Sequence, residues 1–224
     1  FDVDELKKAA IKSTKLAADI KARTGHDIKK FDLRKPENVG TLHDIISNDV
    51  DLASKNQNTK FRSVLTAHPD RKPNLIFDVT LKGLSKLESI TRNVQQLGYK
   101  KENISIVWVV NDMKVAMQQN QERDRRVPEE ILIDTHEGAS QTMRKIIDMG
   151  ESLKKYMDGD IYLAFNKRGA DSEVKTSDKG GMYVVKADYF KIKAKGKPVK
   201  SYESLSKEIV AKIKDYTPDV KAWW

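Results

Sequence analysis

The chain has 224 residues, of which 38% are hydrophobic and 33% charged, enough for one α/β core with a strongly solvated surface. The absence of cysteine excludes disulfides and cysteine-based metal or nucleophile chemistry, and fits a reducing, cytoplasmic setting. A net charge of +9 with pI near 9.4 points to a phosphate-bearing small molecule, a nucleic acid or solubility alone, and no apolar run is long enough to predict a membrane span.

In chain order, Asp2-Val3-Asp4-Glu5 reads as an acidic helix start. Leu6, Ala10, Ala17 and Ile20 mark one helical face, and Gly25 is its stop. Residues 26–40 read as a loop and Thr41 to Ser54 as a second helix. A turn over Lys55 to Lys60 and a short segment to Ala67 follow. Asn74 to Val79 is a short apolar run after Pro73, the pattern of a buried strand. Leu84, Leu87, Thr91, Val94 and Leu97 then fall at helical spacing before Gly98, and Ile104 to Val110 is a second apolar run. Strand, helix and strand together predict a βαβ crossover, hence a parallel sheet. A helix from Met113 to about Arg125, a long one from Pro128 to about Met157 and a third buried strand over Asp160 to Phe165 come next. Met182 to Ile192, after Gly180-Gly181, reads as a hairpin or strand pair, and Tyr202 to Tyr216 as the last helix.

Three groups of residues are placed for chemistry. Asp4 at the helix mouth is either a capping acid or a general base. Asp78, Thr80 and Lys82 stand at the carboxyl end of the first predicted strand, where open α/β sheets bind ligands; the plainer role is a helix cap by Asp78 or Thr80. Arg123, Arg125 and Arg126, followed by Pro128, form either a lid over a nucleotide or an exposed helix end. His26, His43 and His68 show no metal-ligand spacing and no metal site is predicted. Trp108 reads as core, and Trp223-Trp224 as an exposed end. The lysines are spread along helix faces and through Lys186 to Lys200, without the aromatic interleaving of a single-strand binder.

The order of these motifs resembles the zeta-toxin family of small kinases over about residues 1–170. An acid-led Asp4-Glu5-Leu6-Lys7, a strand ending in Asp78-Val79-Thr80-Leu81-Lys82, an arginine lid, a proline and a helix with His136 follow one another. The resemblance implies a P-loop kinase-like three-layer α/β sandwich with a mainly parallel sheet over 1–170, and a small C-terminal β/α extension over 171–224. It implies an ATP- and Mg²⁺-dependent phosphotransferase acting on a hydroxyl of a small molecule such as a nucleotide sugar or nucleotide. In that reading Asp4 is the catalytic base, and Arg123 and Arg126 offset transition-state charge. Asp78, Thr80 and Lys82 hold the acceptor, while Arg125, Asn166 and Arg168 lie on the nucleotide. Two departures stand out: Asp78-Val79 replaces the family's Glu-Gly, and no Gly-x-x-x-x-Gly-Lys-Ser/Thr loop occurs in these residues. The expectation is that this loop lies upstream of Phe1. The alternative is an inactive kinase-like binding module whose basic surface meets a phosphate-rich partner, nucleic acid or a protein assembly.

Overall fold

The computed structural model describes residues 2–166, 173–178, 182–186, 188–194 and 196–216, so Arg168, Gly180-Gly181 and the Trp223-Trp224 end lie outside it. The protein is mixed α/β, and its residues gather into two units: 1–80 with 118–132, and 81–117 with 133–224.

The first unit is helical. α1 (Val3–Lys12) and α2 (Thr14–Thr24) replace the single predicted helix because Ser13 breaks it. Its backbone N–H closes α1 on Ala9 O, while its hydroxyl accepts from Leu16 N at 3.2 Å and caps α2. Gly25 ends α2 at φ 77°, the left-handed conformation that favours glycine. Pro36 opens α3 (Pro36–Asp44) inside the predicted loop, and a π turn over Ile45–Asp49 leads to α4 (Leu52–Leu65). The predicted turn at Lys55 to Lys60 is therefore helix. With neither Gly nor Pro there to stop it, polar composition alone does not break a helix. Ala10, Ala17, Ile20, Ile28, Leu42, Ile45, Ile46 and Val50 form the core of this unit.

The predicted strand at Asn74 to Val79 is not one. The segment is irregular, with Leu75 and Phe77 half-buried and Ile76 78% exposed. Phe77 meets Phe61 edge-on at 6.4 Å. An apolar run becomes a strand only when a neighbour satisfies its backbone, and no ladder reaches this one among the described residues.

The second unit holds the sheet. α5 (Leu84–Gln96) ends at Gly98 (φ 85°) and leads to β1 (Ile106–Val110). The chain then runs through α6 (Met113–Glu122) and α7 (Glu129–Asp148) to β2 (Ile161–Phe165), parallel to β1 with Ile106 opposite Ile161 and Val110 opposite Phe165. The crossover predicted between residues 74 and 110 is not formed, because its first strand is missing; the parallel pair is β1 with β2, connected through α6 and α7. β5 (Asp188–Ala194) pairs antiparallel with β2, and the short β6 (Lys197–Pro198) with β5, giving the order β1-β2-β5-β6. The sheet is mixed, where a mainly parallel one was expected. β3 (Glu173–Thr176) and β4 (Met182–Lys186) form a separate two-stranded sheet, so β4 and β5 are consecutive yet not hairpin partners.

Period-2 alternation turns Trp108, Val110, Ile161, Leu163, Phe165 and Ile192 toward one face. That face is covered by Leu87 of α5, by Met143, Ile146 and Ile147 of α7, and by Leu205, Ile209 and Ile213 of α8 (Tyr202–Tyr216). The opposite face is open: Val107 is 63%, Val109 56% and Tyr189 61% exposed.

Candidate functional site

In the first unit the structure brings Asp4 against the arginine turn. Asp2, not Asp4, is the N-cap of α1, accepting from Asp4 N at 2.7 Å. The Asp4 carboxylate is therefore left for other partners, and it takes two cations. Arg125, 121 residues away in sequence, donates through Nη2 to Asp4 Oδ2, and Lys7 Nζ lies 3.3 Å from Oδ1. Lys7 is buried, and burial pulls its ammonium below the usual lysine range while Asp4 opposes the shift. Nearby, His43 is lowered first by loss of solvent around the ring and then by Lys7, with Asp44 and Asp4 acting the other way. The site is thus one carboxylate between two cations, with a neutral-leaning imidazole in the same field.

The turn that carries Arg125 is fixed from below. Asn120, only 9% exposed, donates through Nδ2 to Val127 O at 2.7 Å and accepts from Val127 N through Oδ1 at 2.9 Å. Arg126 N donates to Leu33 O at 3.0 Å. The side chains of Arg123 and Arg126 point into solvent. The backbone is clamped while two of its three guanidinium groups are free to meet an anion.

The remaining predicted residues fall elsewhere. Asp78 and Thr80 are exposed on the irregular segment of the first unit; neither caps α5, whose N-cap is Gly83. Lys82 belongs to the second unit, where it ion-pairs with Asp134 of α7 and its stem lies over Gly138. His136, half-buried on α7, is lowered by burial.

Asn166 sits at the carboxyl ends of the parallel pair. Its amide donates to Asn111 Oδ1 at 2.5 Å, and its N–H to Val110 O at 3.0 Å. Tyr216 Oη donates to Asn166 O at 2.6 Å and accepts from Asp112 N at 3.4 Å. This is the place where parallel strands present groups to a ligand. Sequence reading missed Lys7, His43, Asn111 and Tyr216. The i, i+3 spacing of Asp4 and Lys7 was a visible signal for the first; nothing local marks the others.

Among the described residues, no group of three or more His, Asp or Glu is placed to hold a metal ion, and no helix is long and apolar enough to cross a membrane.

His136 gives a pH test. Its folded pKa lies below the unfolded value near 6.5, so the unfolded chain binds more protons in the window between them. Stability falls as pH drops through 6.5 toward the folded pKa and levels off below it. Urea unfolding from pH 7 downward should show that loss, and His136→Gln should reduce it, leaving the part that His43 contributes in the same window.

No protein-family model matches the sequence, and no match is found among the curated proteins or the solved structures.

Proposed function

We propose that the chain carries the acceptor and lid elements of an ATP-dependent phosphotransferase similar to the zeta-toxin kinases. The observation that supports this is the meeting of Asp4 with Arg125, the base of that resemblance with a residue of its arginine lid. Asp4 would accept the proton of a substrate hydroxyl, because a carboxylate fixed by two cations is held in one place to receive it. Arg125, with the exposed Arg123 and Arg126, would meet the charge that builds on the transferring phosphoryl oxygens. When bound, ATP would supply that phosphoryl group. The backbone cradle and the Mg²⁺-binding hydroxyl of a Walker loop are not among these 224 residues. The acceptor class is a phosphorylated hydroxyl compound such as a nucleotide sugar or nucleotide, in keeping with a cation-rich site.

The test is phosphoryl transfer from radiolabelled Mg·ATP to such acceptors by the full-length protein. Asp4→Asn should lower kcat by at least about 100-fold with the KM for ATP little changed, since a positioned general base contributes ~10²–10⁴. Unchanged turnover in Asp4→Asn overturns the assignment. Absence of transfer to any acceptor by the parent chain leaves the non-catalytic binding module as the reading.

A further inference from the structure

We propose that the open face of the β1–β2–β5 sheet is a platform for single-stranded nucleic acid. The inference stands apart from the phosphotransferase reading, because it uses none of the residues of that site.

The sheet register assembles this face from three strands. Val107 stands opposite Tyr162, Val109 opposite Ala164, Ala164 opposite Tyr189, and Tyr162 opposite Lys191. Val107, Val109 and Tyr189 are the most exposed of the apolar members. Tyr162 and Tyr189 meet edge to face, centroids 6.0 Å apart at 63°. The Lys191 ammonium lies 5.3 Å from the Tyr162 centroid. Asp160 is the acid at this edge and takes the Tyr162 hydroxyl at 2.8 Å; Asp188 falls on the other side of β5 by alternation.

These groups separate the candidate occupants. A half-buried Tyr162 fixed by Asp160 and Lys191 holds the neighbouring Tyr189 ring, which is left exposed to accept a flat partner. An aromatic ring on a bare sheet stacks on an unpaired base, whereas a duplex keeps its base faces to itself. Lys191 beside the rings suits a backbone phosphate of such a strand. A second copy of this chain would bring Lys191 against its own mate on molecules of net charge +9, which opposes self-association. The basic-aromatic interleaving that is missing along the sequence is thus produced across strands.

The experiment is fluorescence anisotropy with a labelled mixed-sequence oligonucleotide, single-stranded and as its duplex, over a salt series. The single strand should bind more tightly than the duplex. Tyr189→Ala should weaken it about 5-fold or more, the lower end of one lost base stack. Lys191→Glu should weaken it and reduce the salt slope by about 1. Lys12→Glu, the same charge change on exposed α1, should do neither. Thermal melting checks that the exposed Tyr189→Ala variant remains folded. No single-strand binding, equal losses in Lys12→Glu and Lys191→Glu, or an unaffected Tyr189→Ala each overturns the proposal. So does a dimer that Tyr189→Ala dissociates without any effect on the oligonucleotide.

Discussion

Gly159→Ala should be the most damaging small substitution in the second unit. A Cβ at this position would lie 2.2 Å from Ile104 O, 2.7 Å from its carbonyl carbon and 2.8 Å from Ser105 Oγ. Two of those atoms are backbone and cannot swing away. They are also held by the bonds that set the start of the sheet. Asp158 N donates to Lys101 O at 2.8 Å, Gly159 N to Ile104 O at 3.1 Å, Asp160 N to Ser105 Oγ at 3.1 Å and Ile106 N to Asp160 O at 2.9 Å. Relief of the clash would displace the β1/β2 register at its first pair. A loss of about 3 kcal/mol or more is expected in urea unfolding, the upper end of overpacking costs. Gly138→Ala is the matched control. The three atoms nearest its Cβ all belong to the Lys82 stem, at 3.2–3.4 Å, which can move, and the helix interior gains up to ~1 kcal/mol from alanine. A neutral or stabilised Gly138→Ala beside a crippled Gly159→Ala is the expected contrast; similar effects from both would refute it.

The second large effect concerns the charge cluster of the first unit. Removing Asp4 leaves Lys7, 5% exposed, beside Arg125 with no carboxylate between them. Breaking a fully buried ion pair costs ~3–5 kcal/mol. Asp4 retains 39% of its side-chain exposure, so Asp4→Ala is expected to cost about 2 kcal/mol. Lys7→Met should be neutral or stabilising, because it removes the buried charge and keeps the stem's contacts. A double-mutant cycle of Asp4→Ala with Arg125→Ala should return a coupling of ~1 kcal/mol or more. Additive effects would show that the ion pair across 121 residues contributes nothing to the fold. Asp4→Asn keeps the shape but removes the same charge, so its unfolding midpoint should be measured beside its turnover.

Local signals carried much of this fold. α5 with its Gly98 stop, β1, β2 and α8 lie within a residue or two of where periodicity and turn residues put them, since each has a full apolar stripe or run and a clear terminator. Asn74 to Val79 has an equally apolar run and is not a strand, because ladder partners are supplied by the rest of the chain and leave no mark on the segment itself. Ser13 splits a helix that the spacing of Leu6, Ala10, Ala17 and Ile20 carries straight through, since the apolar face continues across the break. For the site, Asp4 and the arginines were legible as types, but their pairing was not. A short-range role, capping, fits Asp4 equally well until Asp2 is seen to fill it. Lys7 becomes a partner only once burial removes its solvent, and Tyr216 reaches Asn166 from the far end of α8.

The chain order within the first unit sets a timetable. The turn that delivers Arg125 to Asp4 belongs with residues 1–80, yet it is made only after residues 81–117 have been synthesised. On a ribosome, α1 therefore emerges with Lys7 and Asp4 long before their third partner exists. The Asn120–Val127 clamp is local, its two hydrogen bonds joining residues seven apart. The Asp4–Arg125 pair therefore cannot form until the whole segment 81–117 has been made, and the first unit is completed by chain that follows much of the second.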